Sequence, residues 1–272
     1  MITILMSTYN GADYLTEQLD SVLAQSVTDW HLVVRDDGST DGTWDILQQY
    51  AVKDSRIEVV RDGENRGAKG SFEVLLTNYG TGRYVAFADQ DDVWLPDKLQ
   101  VCLSKIQQSE QEYGAHTPIL VHTDLIVTDE ALNILSESFW RYAFIKPVVL
   151  NQRAEYLAIC NSVTGCTMLF NQAARKVSLP FGEKALMHDS IMAVRVRKNG
   201  GYVLPIDRPT MYYRQHSDNT LGAVKYHLLR SVSDRYKEAK EHYYAYHLEV
   251  FGSVWSFVYW KLRCFFEEHM RR

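Results

Sequence analysis

Three carboxylates follow a short apolar segment in the sequence VAFADQDDVW, which covers residues 85–94. Asp89, Asp91 and Asp92 fall within four consecutive positions, after a stretch that is typical of a buried strand. Carboxylates at that spacing repel one another, and removing them from water costs further free energy. Oxygen ligands suit Mg²⁺ and Mn²⁺, which keep few protein ligands and take the others from water and substrate phosphates. The cluster therefore predicts a divalent cation that bridges to a diphosphate; the alternative is a solvated acidic loop.

A second acidic cluster lies in RDDGSTDGT, residues 35–43, where two consecutive aspartates precede a turn. This turn follows another apolar segment, so the carboxylates lie at the end of a strand. A carboxylate such as that of Asp37 accepts hydrogen bonds well, and the imide N–H of a pyrimidine base is a suitable donor. The cluster predicts a contact to a nucleotide base; the alternative is a capped turn.

Two further segments offer cations. NRGAKG, residues 65–70, combines Arg66 and Lys69 with two glycines, which predicts a cationic loop in close approach to a nucleotide. YRQHSDN, residues 213–219, places Arg214 and His216 after a strand-like segment, where they could contact phosphate or a cation. The alternatives are a flexible surface loop for the first segment and a structural histidine in the second.

The segment MHDS, residues 187–190, places His188 and Asp189 where a helix begins. A carboxylate held in a fixed orientation at such a place can act as a general base. The alternative is that Asp189 only caps the helix.

The elements that must position these residues alternate regularly between positions 1 and 110. Apolar runs predict strands at 2–6, 31–35, 57–60 and 83–88, and helical periodicity predicts helices at 13–26, 41–53, 71–80 and from Pro96. This alternation indicates βαβ units and a mostly parallel sheet. Ligands bind at the carboxyl ends of such strands. Because the polar clusters follow the strands, we expect them to form one site.

The second half of the chain is less regular. It predicts strands at 119–127, 165–170 and 208–216, a helix from Asn171 and another over 188–201. We expect one domain over residues 1–220, in two halves at 1–110 and 111–220. A helical C-terminal extension is expected at 221–272.

The composition excludes several classes of protein. Hydrophobic residues make up 46% of the 272 residues and charged residues 23%, as in a soluble globular protein. A net charge of −5 argues against a nucleic-acid-binding surface. The four cysteines form no C-x-x-C pair, which fits a reducing compartment such as the cytoplasm. The start of the chain predicts no signal peptide, and no apolar run is long enough to predict a membrane span.

The C-terminal extension has its own charge and apolar pattern. Residues 223–272 carry a net charge of +3, against −8 for residues 1–222. One helical stripe holds Phe251, Trp255, Val258, Tyr259, Leu262 and Phe266. This pattern predicts a helix that lies on the inner face of the cytoplasmic membrane. The alternatives are packing on the domain or on a second subunit in a homodimer.

Taken together, the motifs resemble those of the family 2 glycosyltransferases, which have the GT-A nucleotide-sugar-binding fold. STYNG, VVRDDGSTDGT, ENRG and FADQDDVWLPDKL occur in the family's order between positions 1 and 110, and TGCTMLFN, MHDS and YRQHSDN continue the match to about residue 219. The resemblance implies that Thr8 and Tyr9 surround the base and ribose and that Asp37 recognises the pyrimidine. It implies that Asp91, with Asp89, holds Mn²⁺ or Mg²⁺.

The resemblance also implies that Asp189 is the catalytic base. The chain departs from the family at the preceding position, where many members have glutamate and this chain has His188, for which an acceptor contact is expected. Arg66, Lys69 and His216 are expected to help the metal stabilise the leaving diphosphate. Arg214 is expected to contact substrate.

The implied activity is inverting, metal-dependent sugar transfer from a nucleotide-sugar donor to a lipid-linked oligosaccharide. The motif set further resembles the rhamnosyltransferase-like branch that builds bacterial surface polysaccharides such as O-antigen, which implies dTDP-L-rhamnose as donor; a UDP-sugar is the alternative. Two other functions are alternatives: a catalytically silent nucleotide-sugar-binding or scaffold relative, and an aspartate-nucleophile phosphatase. The phosphatase interpretation is the weakest, because such enzymes place the acidic pair after the first strand.

Overall fold

The computed structural model describes residues 1–216 and 232–270. Its first half alternates strands and helices as the periodicity predicts. The elements are β1 (Ile2–Thr8), α1 (Ala12–Leu23), β2 (Trp30–Asp36), α2 (Thr43–Lys53), β3 (Ile57–Val60), α3 (Gly67–Tyr79), β4 (Tyr84–Ala88), β5 (Val93–Trp94) and α4 (Lys98–Tyr113). The predicted strands at 2–6, 31–35, 57–60 and 83–88 are all present.

The second half contains longer strands and several short helices. The elements are β6 (Ile119–Thr128), β7 (Ile134–Ser136), α5 (Phe139–Tyr142), α6 (Pro147–Leu150), α7 (Ala154–Ile159), β8 (Met168–Asn171), α8 (Gln172–Ser178), α9 (His188–Lys198), β9 (Tyr202–Arg214), α10 (Val232–Tyr246) and α11 (Val254–Met270). A 3₁₀ turn over Gly165–Thr167 precedes β8, and a π-helical turn over His247–Phe251 separates α10 from α11.

The strands form one sheet in the order β3-β2-β1-β4-β8-β6-β9-β5, with β7 paired to β6. The neighbours from β3 to β4 are parallel, as expected, and β6 is parallel to β9. Strand β8 runs antiparallel to both β4 and β6, so the sheet is mixed in its second half. Because β4 and β6 both oppose β8, the carboxyl ends of β1, β2, β4, β6 and β9 lie along one edge.

Helices cover both faces of the sheet, which explains why its strands are apolar at consecutive positions. In β1, Ile4 and Met6 pack with Leu15 and Leu19 of α1 on one face. The intervening Leu5 packs on the other face, with residues of α3 and α9. Two buried layers therefore hold the central strands rigidly, and the loops at their carboxyl ends start from fixed positions.

Two elements begin earlier than the sequence predicts. Helix α3 starts at Gly67 and takes in most of the predicted 65–70 loop. Its first turn carries no buried apolar residue before Ser71 and Phe72, so the periodicity gave no signal there. Strand β9 starts at Tyr202 although it contains two prolines, and a register shift against Thr123 and Asp124 of β6 accommodates them.

The C-terminal helices pack against the domain. Tyr246, Phe251 and Phe257 belong to the same buried cluster as residues of α3 and α9. The expected domain boundary near residue 220 lies outside the described residues. Within residues 1–216 and 232–270, no helix combines the length and the apolar character needed to cross a bilayer.

Candidate active site

A cavity of about 430 Å³ opens at the carboxyl edge of the sheet. Loops after β1, β2 and β4 form one side, and the 3₁₀ turn and the start of α9 form the other. Six of the residues singled out from the sequence line it: Tyr9, Asp37, Asp89, Asp91, His188 and Asp189. The clusters that follow separate strands thus meet in one place, as expected from the order of the strands.

Asp37 is held between two donors on the β2 side of the cavity. Its Oδ1 accepts from the backbone N–H of Arg66 at 2.9 Å and from the guanidinium of Arg35. Arg35 is fully buried and also bonds Asp62 at 2.6 Å and Ser71 at 2.9 Å. A buried guanidinium in a strand thus balances the charge of Asp37, and no pattern in the sequence pointed to this partner.

Thr8 lies behind the cavity rather than in its wall. Its side chain is buried, and its Oγ1 lies 3.4 Å from Asp36 Oδ1. The backbone carbonyl of Thr8 accepts from the N–H of Asp37 at 2.8 Å. Thr8 is therefore placed to position the loop after β2, whereas the neighbouring Tyr9 is exposed to the cavity.

Asp91 and His216 come together although they are far apart in the chain. His216 Nε2 lies 2.8 Å from Asp91 Oδ2, and the His216 ring packs against Tyr14 at 4.6 Å between centroids. Arg214 is buried beside them, and its Nε donates to the Asp91 carbonyl at 2.9 Å. Arg214 thus holds the backbone of the acidic loop, and the cavity wall does not include it.

A second acidic group lies deeper. Ligand atoms of Asp89, Asp92 and Cys166 all lie within 4.8 Å of one another, the one such cluster among the described residues. Burial, followed by the charge of Asp91, raises the pKa of Asp89 to about 7, and burial holds the pKa of Asp92 well above its usual range. Buried Lys98 lies nearby and donates to the Cys166 carbonyl at 2.7 Å. Burial and mutual repulsion therefore favour the protonated forms of Asp89 and Asp92, and Lys98 is close enough to offset part of the repulsion at Asp89.

These two groups differ in the metal they suit. A thiol is a soft ligand, and a buried cluster that includes Cys166 does not match the oxygen preference of Mg²⁺ or Mn²⁺. Asp91 and His216 meet beside the cavity, and their side-chain atoms are close enough to share one ion. The residues present fit a divalent cation at Asp91 and His216, with Asp89 adjacent.

Asp189 lies in the first turn of α9, where Met187 occupies the N-cap position. Its Oδ1 accepts from the N–H of Ser190 at 2.6 Å, and burial raises its pKa to about 6. The carboxylate lines the same cavity as Asp37 and Asp91. A carboxylate with a raised pKa is suited to take a proton near neutral pH.

His188 is enclosed by aromatic rings. Its ring lies 4.2 Å from Phe72 and 5.1 Å from Phe87 between centroids, and burial lowers its pKa to about 3. Neither ring nitrogen has a hydrogen-bond partner among the described residues. A Cβ at Gly165 would lie 2.5 Å from His188 Nε2, so only glycine fits there without displacing the ring. His188 is therefore a neutral ring beside the carboxylate of Asp189.

Arg66 and Lys69 do not bring their cations into the cavity. Arg66 pairs with Glu64 at 2.5 Å and lies 3.6 Å from Asp62. Lys69 Nζ donates to the carbonyls of Glu183 and Ala185, each at 3.0 Å. Helix α3 begins at Gly67 and directs Lys69 towards the 182–185 segment, so both cations are engaged by protein groups, and their contact with a diphosphate stays a prediction.

The fold has counterparts among solved structures. S. aureus TarS in complex with UDP-GlcNAc matches 90% of this chain and 66% of that one, with 19% identity and a TM-score of 0.59. The mannosyltransferase PcManGT from Pyrobaculum calidifontis in complex with GDP-Man and Mn²⁺ matches 91% of this chain and 63% of that one, with 19% identity and a TM-score of 0.60. The architecture is that of the GT-A glycosyltransferases, as the motifs implied.

The sequence comparison defines the family. The model of glycosyl transferase family 2 matches residues 3–177, more than half of the chain. The chain therefore belongs to glycosyl transferase family 2 and is a glycosyltransferase. The expectation drawn from the ordered motifs is confirmed.

Two curated relatives align over most of the chain. The UDP-Glc:alpha-D-GlcNAc-diphosphoundecaprenol beta-1,3-glucosyltransferase WfaP of Escherichia coli is 25% identical over 80% of this chain and 78% of its own length. The dTDP-rhamnosyl transferase RfbG of Shigella flexneri is 27% identical over 80% of this chain and 74% of its own length. Four others, TuaG of Bacillus subtilis among them, are matched over only 37% to 49% of their length.

Proposed function

We propose that this chain transfers a sugar, with inversion, from a pyrimidine-nucleotide sugar to a hydroxyl of a lipid-linked glycan during bacterial surface-polysaccharide synthesis. One observation carries the proposal. Asp37, Asp91 and Asp189 line the same cavity, and Asp91 lies against His216. Asp37 suits a nucleotide base, Asp91 with His216 suits a diphosphate with its cation, and Asp189 suits an acceptor hydroxyl. A scaffold protein has no need to keep three such carboxylates in one cavity.

The donor is proposed to lie with its base near Tyr9 and Asp37. Arg35 and the Arg66 N–H fix the Asp37 carboxylate, so that it is oriented before the nucleotide arrives. Asp91 and His216 would hold Mn²⁺ or Mg²⁺, and Asp89 would support them. When bound, that cation supplies the positive charge that stabilises a leaving diphosphate. The carbonyl of Asp91 is anchored by Arg214, which keeps the loop in place.

The acceptor is proposed to enter beside Asp189, which takes the proton of the attacking hydroxyl. General base help of this kind contributes roughly 10²–10⁴-fold to the rate. His188 is neutral and adds no charge to the Asp189 site; both of its ring nitrogens are buried, and the acceptor contact expected for it stays a prediction.

The identity of the transferred sugar is the most specific part of the proposal. The relative named as a dTDP-rhamnosyl transferase supports dTDP-L-rhamnose, and the relative named for UDP-Glc and a diphosphoundecaprenol-linked sugar supports a UDP-sugar and a lipid-linked acceptor. Uracil and thymine present the same imide edge, so Asp37 would accept from either. dTDP-L-rhamnose is the first candidate from the motifs, and a UDP-hexose is the alternative.

The test is release of nucleoside diphosphate from dTDP-L-rhamnose, UDP-glucose, UDP-GlcNAc and GDP-mannose, with Mn²⁺ and with or without a GlcNAc-diphosphoundecaprenol acceptor. We expect release from one pyrimidine donor that depends on the acceptor, and none from GDP-mannose. Binding of a donor without release on any acceptor offered would favour the catalytically silent relative. Absence of donor binding would contradict the proposal.

We further propose that the protein contacts an anionic membrane surface through α11. The outward face of this helix carries Trp255, Val258, Tyr259, Leu262, Phe265 and Phe266, all of them exposed, with Trp255 84% exposed. Phe257 and Cys264 lie on the opposite face and are buried. Phe251, which the sequence pattern placed on the exposed stripe, is buried too, because it packs against Phe257.

A neighbouring segment extends this apolar face. Phe144 and Val148 are 72% and 71% exposed, and Lys146 between them donates to the carbonyl of Glu268 near the end of α11. The net charge of +3 over residues 223–272 complements anionic lipid, at roughly 1 kcal/mol for each basic residue near the surface. Insertion of the aromatic side chains at the interface adds to this attraction. A lipid surface is the occupant that we propose for this face, and a second copy of the chain is the alternative.

Liposome co-sedimentation tests the membrane proposal. We expect the protein to sediment with phosphatidylglycerol vesicles, less with phosphatidylcholine, and less at high salt because surface charge is screened. Replacing Trp255, Leu262 and Phe266 by serine should abolish sedimentation, while Val52→Ser, at a 90% exposed site on α2, should leave it intact. A dimer in light scattering that those serines dissociate, without vesicle binding, would assign the face to a second subunit instead.

A further inference from the structure

Gln90 makes a two-point contact that the family's catalytic scheme does not include. The backbone N–H of Tyr9 donates to Gln90 Oε1 at 2.8 Å, and Gln90 Nε2 donates to the Tyr9 carbonyl at 3.0 Å. The side-chain amide thus pairs with both polar groups of one backbone residue, in the manner of a neighbouring strand. Gln90 stands between Asp89 and Asp91, so the contact joins the acidic loop to the loop after β1.

This contact begins where the sheet ends. The backbone pairing of β1 with β4 extends to Met6 and Ala88. Beyond that point Gln90 continues the connection through its side chain. Gln18 of α1 adds a second link, because its Nε2 donates to the Asp89 carbonyl at 3.0 Å. The acidic loop is therefore tied both to the loop after β1 and to helix α1.

Gly11 makes room for the Gln90 amide. A Cβ at residue 11 would lie 2.3 Å from Gln90 Oε1 and 2.4 Å from its Cδ. The backbone of Gly11 has φ −109°, which any residue can adopt, so the glycine is not required by its backbone conformation. The space beside Gly11 is needed for Gln90.

We propose that Gln90 is a positioning residue that couples nucleotide binding at the Tyr9 loop to cation binding at Asp91. This inference rests on the proposed function and states how the nucleotide site and the cation site are coupled. Tyr9 and Asp91 both line the cavity, and a rigid link between their loops means that ordering one loop orders the other. A cation bound at Asp91 then raises affinity for the base as well as for the diphosphate.

The experiment is calorimetric titration of UDP and dTDP, with and without Mn²⁺, on the full chain. The quantity measured is the factor by which Mn²⁺ raises nucleotide affinity. We expect this factor to fall about fivefold or more in Gln90→Ala, within the usual range of coupling between sites. Gly11→Ala should lower it to a similar extent, because the new methyl group displaces the amide. Gly42→Ala is the matched control, since its Cβ would meet only Ala12 at 3.8 Å.

The double variant Gly11→Ala/Gln90→Ala separates coupling from general damage. If Gly11 matters only because it makes room for Gln90, the Mn²⁺ factor of the double variant should be no lower than that of Gln90→Ala alone. The coupling is wrong if the Mn²⁺ factor of both single variants stays within twofold of wild type. It is equally wrong if they lose affinity by the same factor with and without Mn²⁺, which would make Gln90 a support for the Tyr9 loop only. A wild-type chain that binds neither nucleotide would overturn the proposed function itself.

Discussion

The hydroxyl of Tyr246 in α10 donates to Ser190 Oγ at 2.7 Å, and Ser190 directly follows Asp189. A second link lies further along the same helices, where Arg195 pairs with Glu249 at 2.7 Å. The C-terminal helices therefore support α9, the helix that carries the proposed base. The extension is part of the architecture that holds the site, in addition to any contact it makes with a membrane.

The Tyr246 contact predicts a loss of stability on Tyr246→Phe. The phenol is fully buried, and its loss removes one hydrogen bond while the ring remains in place. We expect the free energy of unfolding to fall by about 0.5–1.5 kcal/mol in urea denaturation. Nucleotide affinity should not change, because Tyr246 does not line the cavity. Tyr244→Phe, at a 55% exposed site on the same helix, is the control and should leave stability unchanged. Equal stability of both variants would contradict the prediction.

Asp189→Asn should separate binding from chemistry. Asparagine can still accept from the N–H of Ser190, so the fold and the nucleotide side of the cavity are expected to remain intact. The transfer rate should fall by about two to four orders of magnitude, the usual contribution of a general base. Steady-state rates measure the loss of transfer, and calorimetric titration of the donor measures whether binding is kept. Asp45→Asn, at an exposed site in α2, is the control. A near-normal rate for Asp189→Asn would mean that Asp189 only stabilises the start of α9, and His188 would be the next residue to test.

The first half of the fold was predictable because its helices and strands each bury a face. In β1, Ile4 and Met6 point one way and Leu5 the other, and this continuous apolar run is what the sequence displays. The acidic clusters were predictable for the same reason, since each directly follows such a strand. Parallel neighbours then brought the clusters to one edge without any knowledge of the contacts.

Side-chain contacts between residues that are far apart in the sequence were not predictable. Lys98 meets the carbonyl of Cys166, and Gln90 meets the backbone of Tyr9; no local pattern in the sequence marks either contact. The sequence predicts a loop at Lys69 because two glycines, Gly67 and Gly70, flank it in the first turn of the helix. The sequence predicted a strand only at 208–216, and the register shift against β6 shows how the longer β9 accommodates its two prolines.

The raised pKa of Asp189 predicts the pH dependence of transfer. Burial disfavours the charged carboxylate and raises its pKa to about 6, and a base acts only when deprotonated. The kcat/KM for the acceptor reports the site before the acceptor binds, and it should therefore rise about tenfold per pH unit below about pH 6 and level off above it. Rates at low acceptor concentration between pH 4.5 and pH 8, roughly, would show this inflection. Asp89 also titrates in the cavity, so the control is Asp189→Asn, whose residual rate should lose the inflection. A profile unchanged in that variant would assign the titration elsewhere.

The pairing of Asp91 with His216 predicts that transfer depends on a divalent cation. We expect excess EDTA to stop transfer and Mn²⁺ or Mg²⁺ to restore it. Asp91→Asn and His216→Ala should each weaken nucleoside diphosphate binding in Mn²⁺ by at least about tenfold, because each removes a proposed ligand. Without the cation, both variants should bind the nucleotide as wild type does. Asp97→Asn is the control, since Asp97 pairs with Arg208 outside the cavity. Full activity in EDTA, or wild-type Mn²⁺ dependence in Asp91→Asn, would leave Asp91 and His216 as a pair that stabilises the acidic loop.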